Sequence, residues 1–156
     1  MIYAFIDAQN VYKGVQSDGW LLDWRKFRVY LCDKYRVEKA FIFIGYMSQY
    51  QDLYSLLQES GYILVFKPVV VYGAGEVKGN VDAELIVECW RREKEYSQAI
   101  IITGDGDFTP LVKILQDKDK LSRRIGSMHQ AYSERRSVAI LPLCRRFRKK
   151  LSAERG

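Results

Sequence analysis

The chain has 156 residues, with 25 Lys and Arg against 19 Asp and Glu, a formal charge of +6. That length suits one domain with a core large enough to fold without disulfides. The three cysteines, Cys32, Cys89 and Cys144, form no CxxC pair or zinc pattern and read as reduced, buried thiols, while the single His129 excludes any site that needs two histidines from this chain.

No apolar run approaches the length that spans a bilayer. The N-terminus opens straight into strand-like sequence without a basic leader, so the expectation is a cytoplasmic protein with no membrane partner.

In chain order, the first element is an apolar strand, Ile2–Ile6, ending at Asp7. Asn10 comes three positions later. It either holds Asp7 or a phosphate by hydrogen bonding, or caps a short helix over Val11–Val15. Lys13, within that helix, either meets a phosphate or keeps the surface soluble. Leu21–Tyr35 reads as a helix with Trp24, Phe27, Val29, Tyr30 and Leu31 as its apolar content.

A second strand covers Ala40–Ile44, and Leu53, Leu56 and Leu57 mark the packed stripe of a helix that Gly61 ends. Strands then follow at Ile63–Phe66 and Val69–Tyr72. Tyr72 to Asn80, with Gly73, Gly75 and Gly79, reads as a flexible loop carrying Lys78, a phosphate contact or a solubilising charge.

From residue 82 onward Leu85, Ile86, Cys89 and Trp90 give a helix an apolar face that also includes Asp82. That carboxylate either caps the helix or joins an acidic cluster. Glu84 is a further ligand or an exposed helix residue, and Glu88, one turn on, reads as solvated.

Ala99–Ile102 is another strand. It leads through Thr103 into Gly104-Asp105-Gly106-Asp107 and then a helix striped by Phe108, Leu111, Val112 and Leu115. Thr103 reads as a partner for a bound water or simply as a strand end. Lys118 to Arg136 is polar and basic with no clear strand, and Val138–Leu143 is a weaker strand candidate. Between 145 and 155, Arg145, Arg146, Arg148, Lys149, Lys150 and Arg155 face one acid, Glu154. Most of the net charge therefore sits in a tail suited to a phosphate backbone, unless it is only a solvated helix end. The division expected is a domain over 1–144 and a basic tail over 145–156.

Near-continuous apolar runs separated by helices fit an α/β fold with a mostly parallel sheet. Ligands of open α/β sheets bind outside the carboxyl ends of the strands. Asp7, Asp105 and Asp107 share that edge if their strands are central and parallel, with Asp82 as the fourth acid.

Two carboxylates about 4 Å apart repel by roughly 4 kcal/mol at an effective dielectric near 20, so such a cluster takes up protons or recruits a cation. All-oxygen ligands suit Mg2+ or Mn2+. One such ion, or two about 3.5–4 Å apart, can activate water and stabilise charge on a phosphodiester. Tyr12, Tyr46 and Tyr72 fall near element ends on the same rim, where they either stack on unpaired bases or pack.

Three blocks, Phe5-Ile6-Asp7-Ala8-Gln9-Asn10, Lys78-Gly79-Asn80-Val81-Asp82-Ala83-Glu84-Leu85 and Ile102-Thr103-Gly104-Asp105-Gly106-Asp107-Phe108, resemble the signature blocks of the NYN domain family, within the PIN-like nuclease superfamily. The resemblance covers about residues 1 to 118. It implies a three-layer α/β/α fold and a metal-dependent nuclease acting mostly on RNA. It carries over Asp7, Asp82, Asp105 and Asp107 as catalytic and metal-binding acids, with Asn10, Thr103 (where the family often has serine) and Glu84 in support. The basic run Lys118 to Arg124 departs from the family's glycine-led turn and short strand, which leaves the fifth strand unplaced.

The function expected is a Mg2+- or Mn2+-dependent endoribonuclease that cuts single-stranded RNA with metal-activated water. Lys13, Lys78 and the tail residues Arg145, Arg146, Arg148, Lys149 and Lys150 would hold the nucleic acid. The alternative is an RNA-binding regulatory module with little or no cleavage activity. A haloacid-type phosphatase wants Asp-x-Asp after the first strand, and Ala8 and Gln9 break that pattern. The aromatic content of 13% leaves room for a homodimer face.

Overall fold

A computed structural model describes residues 1–67, 70–72, 76–78 and 81–121. The chain runs β1 (Ile2–Asp7), α1 (Ala8–Ser17), α2 (Trp24–Tyr35), β2 (Val37–Gly45), α3 (Gln51–Glu59), β3 (Tyr62–Lys67), β4 (Val70–Tyr72), β5 (Glu76–Lys78), α4 (Val81–Arg91), β6 (Gln98–Ile102) and α5 (Thr109–Asp117). Four strands form one parallel sheet in the order β3-β2-β1-β6.

Strand alternation sorts the core into two layers. Ala4, Ile6, Ala40, Ile42, Ile100 and Ile102 pack under α1, α2 and α3. Tyr3, Phe5, Phe41, Phe43, Ala99 and Ile101 pack under α4 and α5. The sheet is therefore buried on both faces, which explains the near-continuous apolar runs of β1 and β6. The result is the expected three-layer α/β/α arrangement.

The strand order reverses at β1. From β1 the chain moves outward through β2 to β3, then crosses back to place β6 on β1's other side. Gln98 pairs with Ile2, and Ser97 N–H donates to the Met1 carbonyl, so β6 begins at the amino edge of the sheet. To reach that point α4 descends from the carboxyl edge, and its first turn, with Asp82 in second position, belongs to that upper edge.

Several local expectations are corrected. α1 begins at Ala8, so Asn10 is not its cap. Asp7 is, because strand passes into helix without a loop and the Asp7 side chain accepts from Asn10 N–H. The strand expected at Val69–Tyr72 is present as β4, but the segment read as a loop holds a second strand, with Val70, Val71 and Tyr72 pairing antiparallel to Lys78, Val77 and Glu76; β-branched residues on both arms favour this hairpin.

On α4, Leu85 and Cys89 are buried as expected, but Ile86 and Trp90 are exposed. Glu88, read as solvated, is buried because Arg91 and Arg92 close over it. Cys32 is exposed rather than buried, whereas Cys89 is buried. The helix after β2 stops as expected, with Gly61 at φ 87° just beyond α3. The strand suggested at Val138–Leu143, Cys144 and the basic tail lie outside the described residues.

Candidate active site

The carboxyl edge between β1 and β6 is the switch point of the sheet, where open α/β folds bind ligands. Ile6 pairs with Ile102 in the last rung of the β1–β6 ladder. Asp7 and Thr103 follow one residue later on each side of that rung and meet there. Both are fully buried, at 0% exposure.

A carboxylate out of water needs partners, and Asp7 has three donors. Asn10 N–H donates to Oδ1 at 3.2 Å, Asn10 Nδ2 donates to Oδ2 at 2.5 Å, and Thr103 Oγ1 donates to Oδ2 at 3.4 Å. Asn10 thus takes the first of its two expected roles, holding Asp7.

Thr103 Oγ1 also accepts the N–H of Asp105 at 3.1 Å. The hydroxyl therefore ties Asp7 to the turn that carries the next two acids. Asp105 caps a 3-10 turn over Gly106–Phe108, its Oδ1 accepting Asp107 N–H at 2.9 Å. Thr109 Oγ1 closes the turn on the Gly106 carbonyl at 2.6 Å. Asp105 is half-buried and Asp107 exposed. A Cβ built on Gly106 meets nothing within 4 Å, so the top of this turn is open.

The structure thus brings together Asp7, Asn10, Thr103 and Asp105, with Asp107 on the same turn. Asp82 stands in the first turn of α4 at the same edge of the sheet, but its side chain, like those of Lys78 and Tyr72, lies outside the described residues. Glu84 and Lys13 are exposed on α4 and α1. Among the described residues no three His, Cys, Asp or Glu side chains gather to hold a metal.

The donor set itself is compatible with a hard cation. Asp105 Oδ2 and both Asp107 carboxylate oxygens accept no hydrogen bond among the described residues, and Asp7, with three bonds, has capacity for one more.

Sequence reasoning passed over Lys67. It is the last residue of β3, 6% exposed, at the carboxyl edge two strands from β1. Buried lysines are rare. The available signal was a single charge closing an otherwise apolar strand, Tyr62-Ile63-Leu64-Val65-Phe66.

The model of the NYN domain matches residues 2–139. The chain belongs to the NYN domain family. That family is nuclease-like in character and its domains typically bind RNA, so a nuclease-like, RNA-related role follows at that level.

This NYN domain is 22% identical to the low amplitude and bright protein LabA of Synechococcus elongatus, over 73% of this chain and 67% of that protein. In fold it is similar to the crystal structure of a protein of unknown function from Vibrio parahaemolyticus, with a TM-score of 0.64 at 23% identity, covering 74% of each chain. No helix among the described residues is long and apolar enough to cross a membrane.

Proposed function

We propose that this NYN domain is a metal-dependent endoribonuclease that cuts single-stranded RNA at the carboxyl edge of β1 and β6. The observation that carries the reading is the buried Asp7 joined through Thr103 to the Asp105 turn at the switch point of the sheet. A buried carboxylate held by three donors is a costly feature for packing alone, and it points to the place where the fold binds ligands.

Asp7, Asp82, Asp105 and Asp107 would hold Mg2+ or Mn2+. When bound, such an ion lowers the pKa of a water and neutralises charge on a phosphodiester. The chain's own residues do the positioning. Asn10 and Thr103 fix the Asp7 carboxylate, and Thr103 also holds the backbone of Asp105. The open turn at Gly106 leaves room for a backbone phosphate to approach. Lys13, Lys78 and the basic tail would supply cations along the strand of RNA.

The test is incubation of the full chain with a mixed pool of single-stranded RNA in Mn2+, Mg2+ or chelator. Metal-dependent cutting that Asp105→Asn removes while the melting curve stays cooperative is the expected result. Cutting at the parent rate by Asp105→Asn would refute the site. Metal-independent RNA binding without cutting by the parent protein would favour the regulatory RNA-binding reading instead.

A further inference from the structure

Beside the acids, the same edge of the sheet carries a cluster of aromatic rings. Tyr46 follows directly on β2, stacks on Tyr54 of α3 at 5.9 Å and 25°, and meets Phe66 of β3 edge-on at 5.5 Å and 87°. Tyr54 and Phe66 are also in contact, at 4.9 Å and 77°. Tyr54 is buried, yet Tyr46 stays 49% and Phe66 42% exposed. The aromatic packing is thus finished on its inner side and open on its outer side.

Hydrogen bonds set this cluster in place. The Tyr54 hydroxyl accepts Met47 N–H at 2.8 Å and donates to the Gly45 carbonyl at 3.0 Å, pinning the turn that carries Tyr46. Gln51 Nε2 donates to the Tyr46 hydroxyl at 2.9 Å. A ring fixed beforehand loses little freedom when a flat ligand settles on it.

The sheet register fixes how far the rings stand from the acids. Asp7 pairs with Phe43 on the adjacent strand, and Tyr46 is three residues further along the chain. Strand spacing and rise put the two Cα atoms within about 12 Å. That is close enough for one strand of nucleic acid to touch both.

We propose that Tyr46, backed by Tyr54 and flanked by Phe66, is a stacking subsite for one unpaired nucleobase of the substrate. The inference rests on the RNA-cleaving reading above and assigns where a base next to the scissile phosphate goes. Every base has a flat π face, so the subsite favours single-stranded over paired RNA without selecting sequence. It also gives the strand two fixed points on this edge, Asp7 at the end of β1 and Tyr46 just past the end of β2.

The test uses full-length protein carrying Asp105→Asn, a short single-stranded RNA, and derivatives of that RNA with one abasic sugar at each position in turn. One abasic position is expected to weaken binding by roughly 5- to 100-fold. Tyr46→Leu should weaken binding of the intact RNA by a similar factor and lose sensitivity to that one position, while Tyr46→Phe, which keeps the ring, behaves as the parent. Melting curves of the variants separate lost stacking from lost folding. If Tyr46→Leu keeps the parent's abasic profile, the subsite is wrong while RNA binding stands. If the parent binds no single-stranded RNA at all, the RNA reading fails and the subsite falls with it.

Discussion

The Thr103 hydroxyl donates to the Asp7 carboxylate across 3.4 Å, joining residues that are 96 positions apart in the chain. The same oxygen accepts the Asp105 N–H, so one buried hydroxyl couples the end of β1 to the acidic turn after β6. Thr103→Val keeps the shape and removes both bonds. Leaving buried partners unpaired costs about 1–3 kcal/mol, and cleavage should fall by about 10- to 100-fold, the usual loss when a group orienting a ligand residue is removed. Thr103→Ser should restore both. Equal activity of the valine and serine variants would remove Thr103 from the site.

Metal binding can be read without any catalysis. A ligand at about 100 times its Kd adds about 2.7 kcal/mol of stability, which for a chain of this size raises Tm by roughly 5–10 °C. Mn2+ should shift the parent protein by this amount and shift Asp7→Asn far less. The asparagine still offers an oxygen to cap α1, so the variant should fold. A shift of the same size in Asp7→Asn would exclude Asp7 as a ligand.

The extent to which the sequence discloses this site follows from local physics. Asp7 and Asp105 are legible because strand ends at a switch point are where α/β folds place ligands, and apolar runs locate those ends to within a residue. The partner of Asp7 is harder. Asn10 looked equally like a cap, and only the direct passage of β1 into α1 makes Asp7 the cap and Asn10 its donor. Glu88 was misread because spacing on α4 says nothing of Arg92, which folds back over Phe41 at 4.7 Å and carries the carboxylate inward with it. Ile86 and Trp90 were misplaced for a related reason: the buried stripe of α4 is narrower than its apolar content. β4 was legible in Val69–Tyr72, but its partner β5 was hidden by the glycines on either side of it, Gly73, Gly75 and Gly79, which spell loop.

The Glu88 network supports the fold at the end opposite the acids. Glu88 pairs with Arg91 at 2.7 Å and with Arg92, and Arg92 reaches on to Glu95 at 3.2 Å. Removing one member of such a partly buried set strands the others. Glu88→Ala should lower unfolding free energy by about 2 kcal/mol in denaturant titration and leave the cleavage rate per folded molecule unchanged. A selective loss of cleavage with stability intact would show that this end of α4 is part of the site.

Cys89 gives a pH dependence with a definite sign. Its thiol lies 3.2 Å from the Tyr96 hydroxyl, and burial pushes it up from an ordinary 9.0 to about 11. Below pH 9 the thiol is protonated in both folded and unfolded chains, and its contribution is fully present. Between pH 9 and 11 the unfolded chain sheds the proton while the folded one keeps it, so stability falls by about 2–3 kcal/mol, then levels off. Cys89→Ala lacks this component, so the gap between parent and variant in denaturation free energy should narrow across that window. Exposed Cys32 should meanwhile react with a thiol reagent at neutral pH, and Cys89 only as the protein unfolds. A parent-to-variant gap that stays constant from pH 8 to 11 would place the Cys89 thiol in contact with water, against its position on the buried face of α4.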